Sequence, residues 1–208
     1  MSIRCVALAF CGLWLSLLGT AAGTASAGEA GSPLDVIKQD TEKVLAILKD
    51  PALKADDKKA ERRKRIEDAV GERFDWPGMA QSSLAIYWKK QTDDQKKDFV
   101  ALYTRIVRDA YLTKIDRYSG ENVKYVGEKV KGSYAVASVK IITTRDTEIP
   151  VDYSLKKADD NWLIYDVAVE GVRLVNNYRT QFASMLDGMS YAEFINQLKA
   201  KADALNKP

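Results

Sequence analysis

The sequence predicts an α+β fold, with helices at both ends of the domain and an antiparallel sheet between them. Apolar residues recur at helical spacing over residues 34–118, alternate with period 2 over residues 122–169, and return to helical spacing after Gly171. Short turns separate the strands, which is typical of a meander. We therefore expect N-terminal helices, a curved sheet of four or five antiparallel strands, C-terminal helices, and an apolar cavity between sheet and helices.

The first part of the chain predicts a cleaved export signal over residues 1–27. Arg4 is the only charged residue before Glu29, and residues 6–18 form a mostly apolar stretch that is too short to span a bilayer. An A-x-A pattern at residues 25–27 places the cleavage after Ala27. Residues 28–208 then form a single exported domain. An uncleaved membrane anchor is the alternative interpretation.

Composition excludes several kinds of chemistry. Cys5 and Cys11 both lie in the predicted signal, and the chain contains no histidine. The mature protein therefore has no disulfide, no cysteine nucleophile, no Ser-His-Asp triad and none of the usual zinc sites. The chain carries 32 basic and 29 acidic residues, and only Arg4 lies in the signal, so the mature net charge is +2. That balance does not indicate a nucleic-acid partner.

The helical half of the domain begins with a helix over residues 34–48 that ends near Asp50. A second helix, rich in charge, spans residues 55–70. Asp75 is a plausible N-cap for a third helix, because Pro77 falls in its first turn.

A long fourth helix opens at Thr92, which with Gln95 forms a capping box. The helix ends near Gly120. Its apolar positions recur every three or four residues and form one stripe: Phe99, Leu102, Tyr103, Ile106, Ala110 and Tyr111.

The pattern then changes to strands. Four alternating runs are separated by turn residues: 122–130, 134–144, 147–157 and 162–169. Pro150 indicates an edge strand or a bulge in the third run, because proline lacks the N–H that a ladder needs. The alternation breaks at Glu170 and Gly171, where the strand feeds into a helix over residues 174–186; a last helix spans residues 191–205.

Three motifs occur in a fixed order along residues 33–201. The first is Phe74-Asp75-Trp76 before a helix, and the second is Trp88 one turn before the Thr92 cap. The third is the terminal junction, in which Trp162, Tyr165-Asp166, Val169-Glu170-Gly171-Val172, Leu174-Val175 and Asn177-Tyr178-Arg179 follow one another. Together these motifs resemble the MlaC family, also called toluene-tolerance or ABC-transporter auxiliary proteins.

The resemblance implies a function for the chain. Members of the family are periplasmic carriers of phospholipid, so a bound phospholipid is the expected ligand, with no other cofactor, no metal and no catalytic residue. The implied partners are an inner-membrane ABC transporter carrying an MCE-domain protein and an outer-membrane lipoprotein complex, and the pathway maintains outer-membrane lipid asymmetry. A hopanoid-associated paralogue of the same fold is an alternative. Arg173 stands where a serine is common in relatives, so lipid or partner preference can differ here.

The candidate ligand site consists of apolar and tyrosine residues on the predicted helices and strands. These side chains either line a lipid cavity or fill an ordinary core, and both roles need the same residue types. Tyrosines are the better candidates because a hydroxyl can meet ester or phosphate oxygens. The candidate lipid-binding residues are Tyr103, Val107, Tyr111, Val151, Tyr153, Trp162, Ile164, Val169, Leu174, Tyr178 and Phe182.

Two further interpretations remain open. Asp75 and Glu170 could act as the acid and base of a hydrolase, although a helix cap and a structural hydrogen bond also account for them. The domain could also be an interaction module with a filled core and no ligand.

Basic residues form two clusters. The cluster over residues 54–65 could meet anionic headgroups or an acidic partner, or form a solvated face with i,i+4 ion pairs. The second cluster surrounds the Thr92 cap and consists of Lys89, Lys90, Lys96 and Lys97.

Overall fold

The computed structural model describes residues 31–205, which fold into six α-helices and a five-stranded antiparallel sheet. The helices are α1 (Pro33–Lys49), α2 (Lys59–Val70), α3 (Trp76–Leu84), α4 (Asp93–Ile115), α5 (Leu174–Gly188) and α6 (Tyr191–Leu205). The strands are β1 (Asn122–Lys131), β2 (Tyr134–Ile142), β3 (Glu148–Ala158), β4 (Asn161–Val169) and β5 (Val172–Arg173), and they lie in sequence order across the sheet. The predicted α+β class is confirmed. The predicted signal peptide lies outside the described residues.

Local hydrogen bonds fix where the helices begin. The Asp75 carboxylate accepts a hydrogen bond from the Gly78 amide at 3.2 Å, as expected for the cap of α3. At the start of α4 the Thr92 hydroxyl accepts from the Gln95 amide at 3.3 Å, and the Gln95 side chain accepts from the Thr92 amide at 2.9 Å. Both caps were predicted from sequence and both are confirmed.

The sheet has one apolar face, because residues paired across antiparallel strands point to the same side. One such row runs across four strands through Tyr125, Val139, Val151 and Val169. The first half of α1 covers part of this face, where Val36 and Ile37 pack against the buried sheet residues.

Pro150 does not mark an edge strand or a bulge, so that expectation is wrong. Strand β3 lies between β2 and β4, and the irregularity in its pairing falls between Ser154 and Leu155. The Pro150 carbonyl accepts from the Glu170 amide at 2.9 Å. Since N and O of one residue point the same way in an antiparallel strand, the missing N–H faces the end of β4, where the ladder stops.

The junction between β4 and α5 is a tight reversal. Glu170 and Gly171 have φ values of 50° and 79°, the positive values that the central residues of a type I′ hairpin turn require. The chain returns as β5, in which Val172 pairs with Val169 and Arg173 with Ala168. This short strand is the fifth one, and α5 begins at the next residue.

The interior contains two separate clusters of buried apolar residues. One joins α3, α4, α5 and α6, and the other joins the sheet to α1. Phe74, which precedes α3, packs against both clusters. Its segment is also tied to the sheet, because the Asp75 amide donates to the Ile164 carbonyl at 2.8 Å.

Candidate ligand site between the helices and the sheet

The eleven candidate residues are divided between the two clusters. On the helical side, four are buried and two are partly buried: Tyr103, Val107, Tyr178 and Phe182, then Tyr111 and Leu174. On the sheet side, three are buried and two are partly buried: Val151, Trp162 and Ile164, then Tyr153 and Val169. The partly buried members pack against the two clusters and retain some accessible surface.

Phe182 is surrounded by other side chains of the helical cluster. Its ring lies 5.8 Å from that of Phe99 and 5.3 Å from that of Phe194, both in edge-to-face arrangements, and its side chain is 2% exposed. In this structure Phe182 is therefore part of a packed helix interface.

Tyr111 of α4 lies near two tyrosines of other elements, Tyr153 of β3 and Tyr178 of α5. Burial is the main cause that raises the pKa of the Tyr111 phenol, and the nearby phenols of Tyr153 and Tyr178 raise it further. Burial also raises the pKa of Tyr153 to about 12, although its side chain keeps accessible surface. Tyr153 is therefore a largely desolvated phenol that keeps some accessible surface.

The hydroxyl groups of these three tyrosines have no protein partner within residues 31–205. By contrast, the more deeply buried Tyr103 hydroxyl accepts a hydrogen bond from the Ser83 hydroxyl at 3.1 Å. In the same part of the chain, every side-chain polar atom that is fully enclosed has a hydrogen-bond partner. The hydroxyls of Tyr111, Tyr153 and Tyr178 must therefore reach accessible space, where each can donate and accept a hydrogen bond.

Each of these tyrosines has an aliphatic neighbour on its own element. Val107 and Leu174 each lie one helical turn before a tyrosine, and Val151 lies two residues before Tyr153 on the same face of β3. Val169 pairs with Val151 on the adjacent strand. We call this set the interlayer seam: Tyr111, Tyr153 and Tyr178 with Val107, Val151, Val169 and Leu174.

Asp166 holds the chain in place beside the seam. Its buried carboxylate accepts from the Val175 amide in the first turn of α5 at 3.0 Å and from the Val167 amide at 2.9 Å. The guanidinium of Arg173 donates to the same carboxylate at 3.2 Å. Sequence reasoning missed this role of Asp166, although an acidic residue inside an apolar strand was an available signal.

Arg173 itself is half exposed. Its side chain lies at an open recess of about 340 Å³ together with Asn176, Asn177 and Thr180. The position that departs from the family pattern is thus at the surface, beside the junction of β4 and α5.

A second concave surface lies away from the seam, along α4 and α6. This open groove has a volume of about 790 Å³ and includes Asp98, Arg105, Lys199 and Asp203 among its lining residues. An ion pair of 2.7 Å between Arg105 and Asp203 lies within it. The groove thus combines these charged side chains with apolar ones such as Leu102 and Ile195, whereas the seam residues are all uncharged.

Asp75 and Glu170 do not form a catalytic pair. The Asp75 backbone is bonded to Ile164, whereas Glu170 follows the end of β4, six residues further along the strand. At 3.3 Å per residue this places the two backbones about 20 Å apart. Asp75 caps α3 and pairs with Lys156 at 2.6 Å, and Glu170 is exposed in the turn.

The basic segment around α2 is largely neutralised by neighbouring carboxylates. Asp116 alone is within 4 Å of Lys59, Arg62 and Arg63. Six of the seven basic residues have an ion pair within residues 31–205: Lys58, Lys59, Arg62, Arg63, Lys64 and Arg65. The contacts match the solvated-face interpretation better than an anion-binding one.

Comparison with known proteins gives three concordant results. The sequence matches the MlaC protein family over residues 38–200. Toluene tolerance protein ttg2D of Pseudomonas putida is 23% identical over 159 residues, which cover 76% of this chain and 74% of that protein. The phospholipid-binding protein from Ralstonia solanacearum, solved in complex with a phospholipid, superposes with a TM-score of 0.72 at 19% identity, covering 84% of this chain and 98% of that one.

The structural match shows that the chain shares the helix-and-sheet fold of the Ralstonia protein. Because the family match spans most of the sequence, the chain belongs to the MlaC protein family. The resemblance inferred from the motifs is confirmed. Over residues 31–205, no helix is both long and apolar enough to cross a membrane, and no cluster of three or more potential metal ligands occurs.

Proposed function

We propose that this protein is a periplasmic phospholipid carrier that holds the acyl chains of its ligand in the interlayer seam. The observation that carries the proposal is the set of three tyrosine hydroxyls without protein partners, set among aliphatic side chains between two separate cores. Aliphatic walls suit acyl chains, and phenol hydroxyls suit the ester and phosphate oxygens where the chains meet the headgroup. Membership of the MlaC family supports the same ligand class.

The energetics of such a ligand favour transfer by docking. Burial of a methylene contributes about 0.8 kcal/mol, so two chains of about 14 methylenes would gain roughly 22 kcal/mol relative to water. Non-covalent affinity saturates near that level, so release into water would be very slow. The carrier would unload where a partner offers an equally apolar path. We propose the two partners that the family implies, an MCE-domain protein of an inner-membrane ABC transporter and an outer-membrane lipoprotein complex, in a pathway that maintains outer-membrane lipid asymmetry.

The proposed carrier is not an enzyme. Lipid transfer needs no acid, base or nucleophile, and the two carboxylates that could have formed an acid/base pair lie apart: that of Asp75 caps α3 and pairs with Lys156, and that of Glu170 is exposed in the turn. Substituting either carboxylate should change stability or lipid retention rather than a turnover rate.

Lipid retention through purification tests the proposal. Organic extraction and mass spectrometry of the purified mature protein should recover phospholipid near one molecule per chain. Replacing Val169 with tryptophan should fill the seam and lower that ratio. Replacing Val172, which is 63% exposed in β5, with tryptophan is the matched control and should leave the ratio unchanged.

Other results of the same lipid extraction would favour one of the alternative functions. Recovery of a hopanoid in place of phospholipid would indicate the paralogue of the same fold. Absence of any stoichiometric lipid from the folded protein would contradict the carrier and favour an interaction module.

A further inference from the structure

Two lysines lie over the rings of seam tyrosines. The Lys114 ammonium is 5.9 Å from the centre of the Tyr111 ring, and the Lys201 ammonium is 5.6 Å from that of Tyr178. Both lysines are exposed residues, Lys114 near the end of α4 and Lys201 near the end of α6. Each ammonium therefore lies next to the aromatic ring of a seam tyrosine.

Neither lysine has an ion pair within residues 31–205, in contrast to the basic residues of α2. The acidic groups nearest the seam have other cations. Asp166 is paired with Arg173, and Asp109 is within 4 Å of both Arg105 and Arg108. The charges of Lys114 and Lys201 are thus left for a group that the protein itself does not supply.

A third lysine is placed in a similar way but with an opposing charge. The Lys38 ammonium lies 5.9 Å from the ring of Tyr125, which faces the same side of the sheet as Tyr153. Burial raises the pKa of Tyr125, and the nearby carboxylate of Glu42 raises it further. Glu42 lies one helical turn after Lys38 on α1, so its carboxylate can offset the charge of Lys38.

We propose that Lys114 and Lys201, here called the lysine pair, select phospholipids whose headgroup carries a net negative charge. This inference rests on the proposed function, because it assumes that the headgroup emerges beside the seam tyrosines. A zwitterionic headgroup has its own cation near the phosphate and gains little from further positive charge. An anionic headgroup gains from both ammonium groups, each held beside the seam by the tyrosine ring beneath it.

The expected preference for anionic over zwitterionic headgroups is modest and sensitive to salt. An exposed ion pair contributes little to the free energy of binding. Two such pairs should therefore raise the affinity for an anionic lipid by about tenfold in total. Ions screen such interactions over roughly 10 Å at 0.1 M salt, and the preference should therefore shrink as salt is raised.

Calorimetric titration with short-chain lipids tests the proposal without a membrane surface. Delipidated protein is titrated with dihexanoyl phosphatidylglycerol and with dihexanoyl phosphatidylcholine, both kept monomeric. The unsubstituted protein should bind the glycerol lipid about tenfold more tightly. The variant K114Q/K201Q should bind both lipids with the affinity that the unsubstituted protein has for the choline lipid.

Lys199→Gln is the matched control, because Lys199 is on the same helix as Lys201 but faces the α4–α6 groove. It should keep the preference. An unchanged preference in K114Q/K201Q, or an equal loss in Lys199→Gln, would overturn the role of the lysine pair while leaving lipid binding intact. Failure of the unsubstituted protein to bind either lipid would instead contradict the proposed function.

Discussion

Asp166 shows how much one buried carboxylate contributes to the geometry beside the seam. It ties together the end of β4, the first turn of α5 and the guanidinium of Arg173. Burying a charge is unfavourable unless it is hydrogen-bonded, and here two backbone amides and one cation meet that need. The orientation of α5, and therefore the position of Tyr178, depends on this residue.

For single residues, we expect substitution of Asp166 to lower the stability of the fold more than substitution of its ion-pair partner Arg173. Asp166→Ala should lower the free energy of unfolding by about 3 kcal/mol, because it leaves buried amides without an acceptor. Arg173→Ser should cost less than about 1 kcal/mol, because the guanidinium is half exposed. Denaturant titration of both variants measures the difference; equal losses would contradict the assigned role of Asp166.

The helix caps and the role of Asp166 differ in how far they could be predicted. Asp75 and Thr92 bond to amides three residues ahead, so sequence spacing alone predicts them. Asp166 bonds to an amide nine residues ahead, across a turn and a short strand. No local spacing specifies that contact, because it depends on the tertiary path of the chain.

Among the elements, α4 contributes most to the seam. Its apolar stripe places Tyr103 in the helical core, where Ser83 donates to its hydroxyl, and Tyr111 two turns later beside the sheet. The two tyrosines look equivalent in sequence. Their environments differ because α4 packs against α3 and α6, which makes only the first of the two a fully enclosed core residue.

The start of α4 offers a test at the scale of one element. Thr92→Ala removes the hydroxyl that accepts from the Gln95 amide and should lower the free energy of unfolding by about 1 kcal/mol. Thr92→Ser keeps the acceptor and should remain close to the unsubstituted protein. Thermal or denaturant unfolding followed by circular dichroism distinguishes the two; a loss that is the same for serine and alanine would argue against the cap.

At the scale of the whole molecule, two cores are joined beside Phe74 and leave a seam of mixed aliphatic and phenol groups between them. The order of helices and strands follows from periodicity and could be predicted. The division of the candidate residues could not, because the lining of a cavity and a filled core need the same residue types. Only the tertiary structure shows that Phe182 packs among other rings whereas Tyr153 keeps accessible surface.

Site-specific photo-crosslinking tests most directly that phospholipid occupies the interlayer seam. A benzoyl-phenylalanine is introduced at Tyr153 in the seam or, as the control, at Tyr134, which is 56% exposed and paired with Lys156 on the other face of the sheet. After loading with phosphatidylglycerol and irradiation, the mass of the intact protein should increase by one phospholipid for the Tyr153 variant and remain unchanged for the Tyr134 variant. Equal labelling of both variants, or no labelling at Tyr153 in a folded and loaded protein, would contradict the seam as the lipid site.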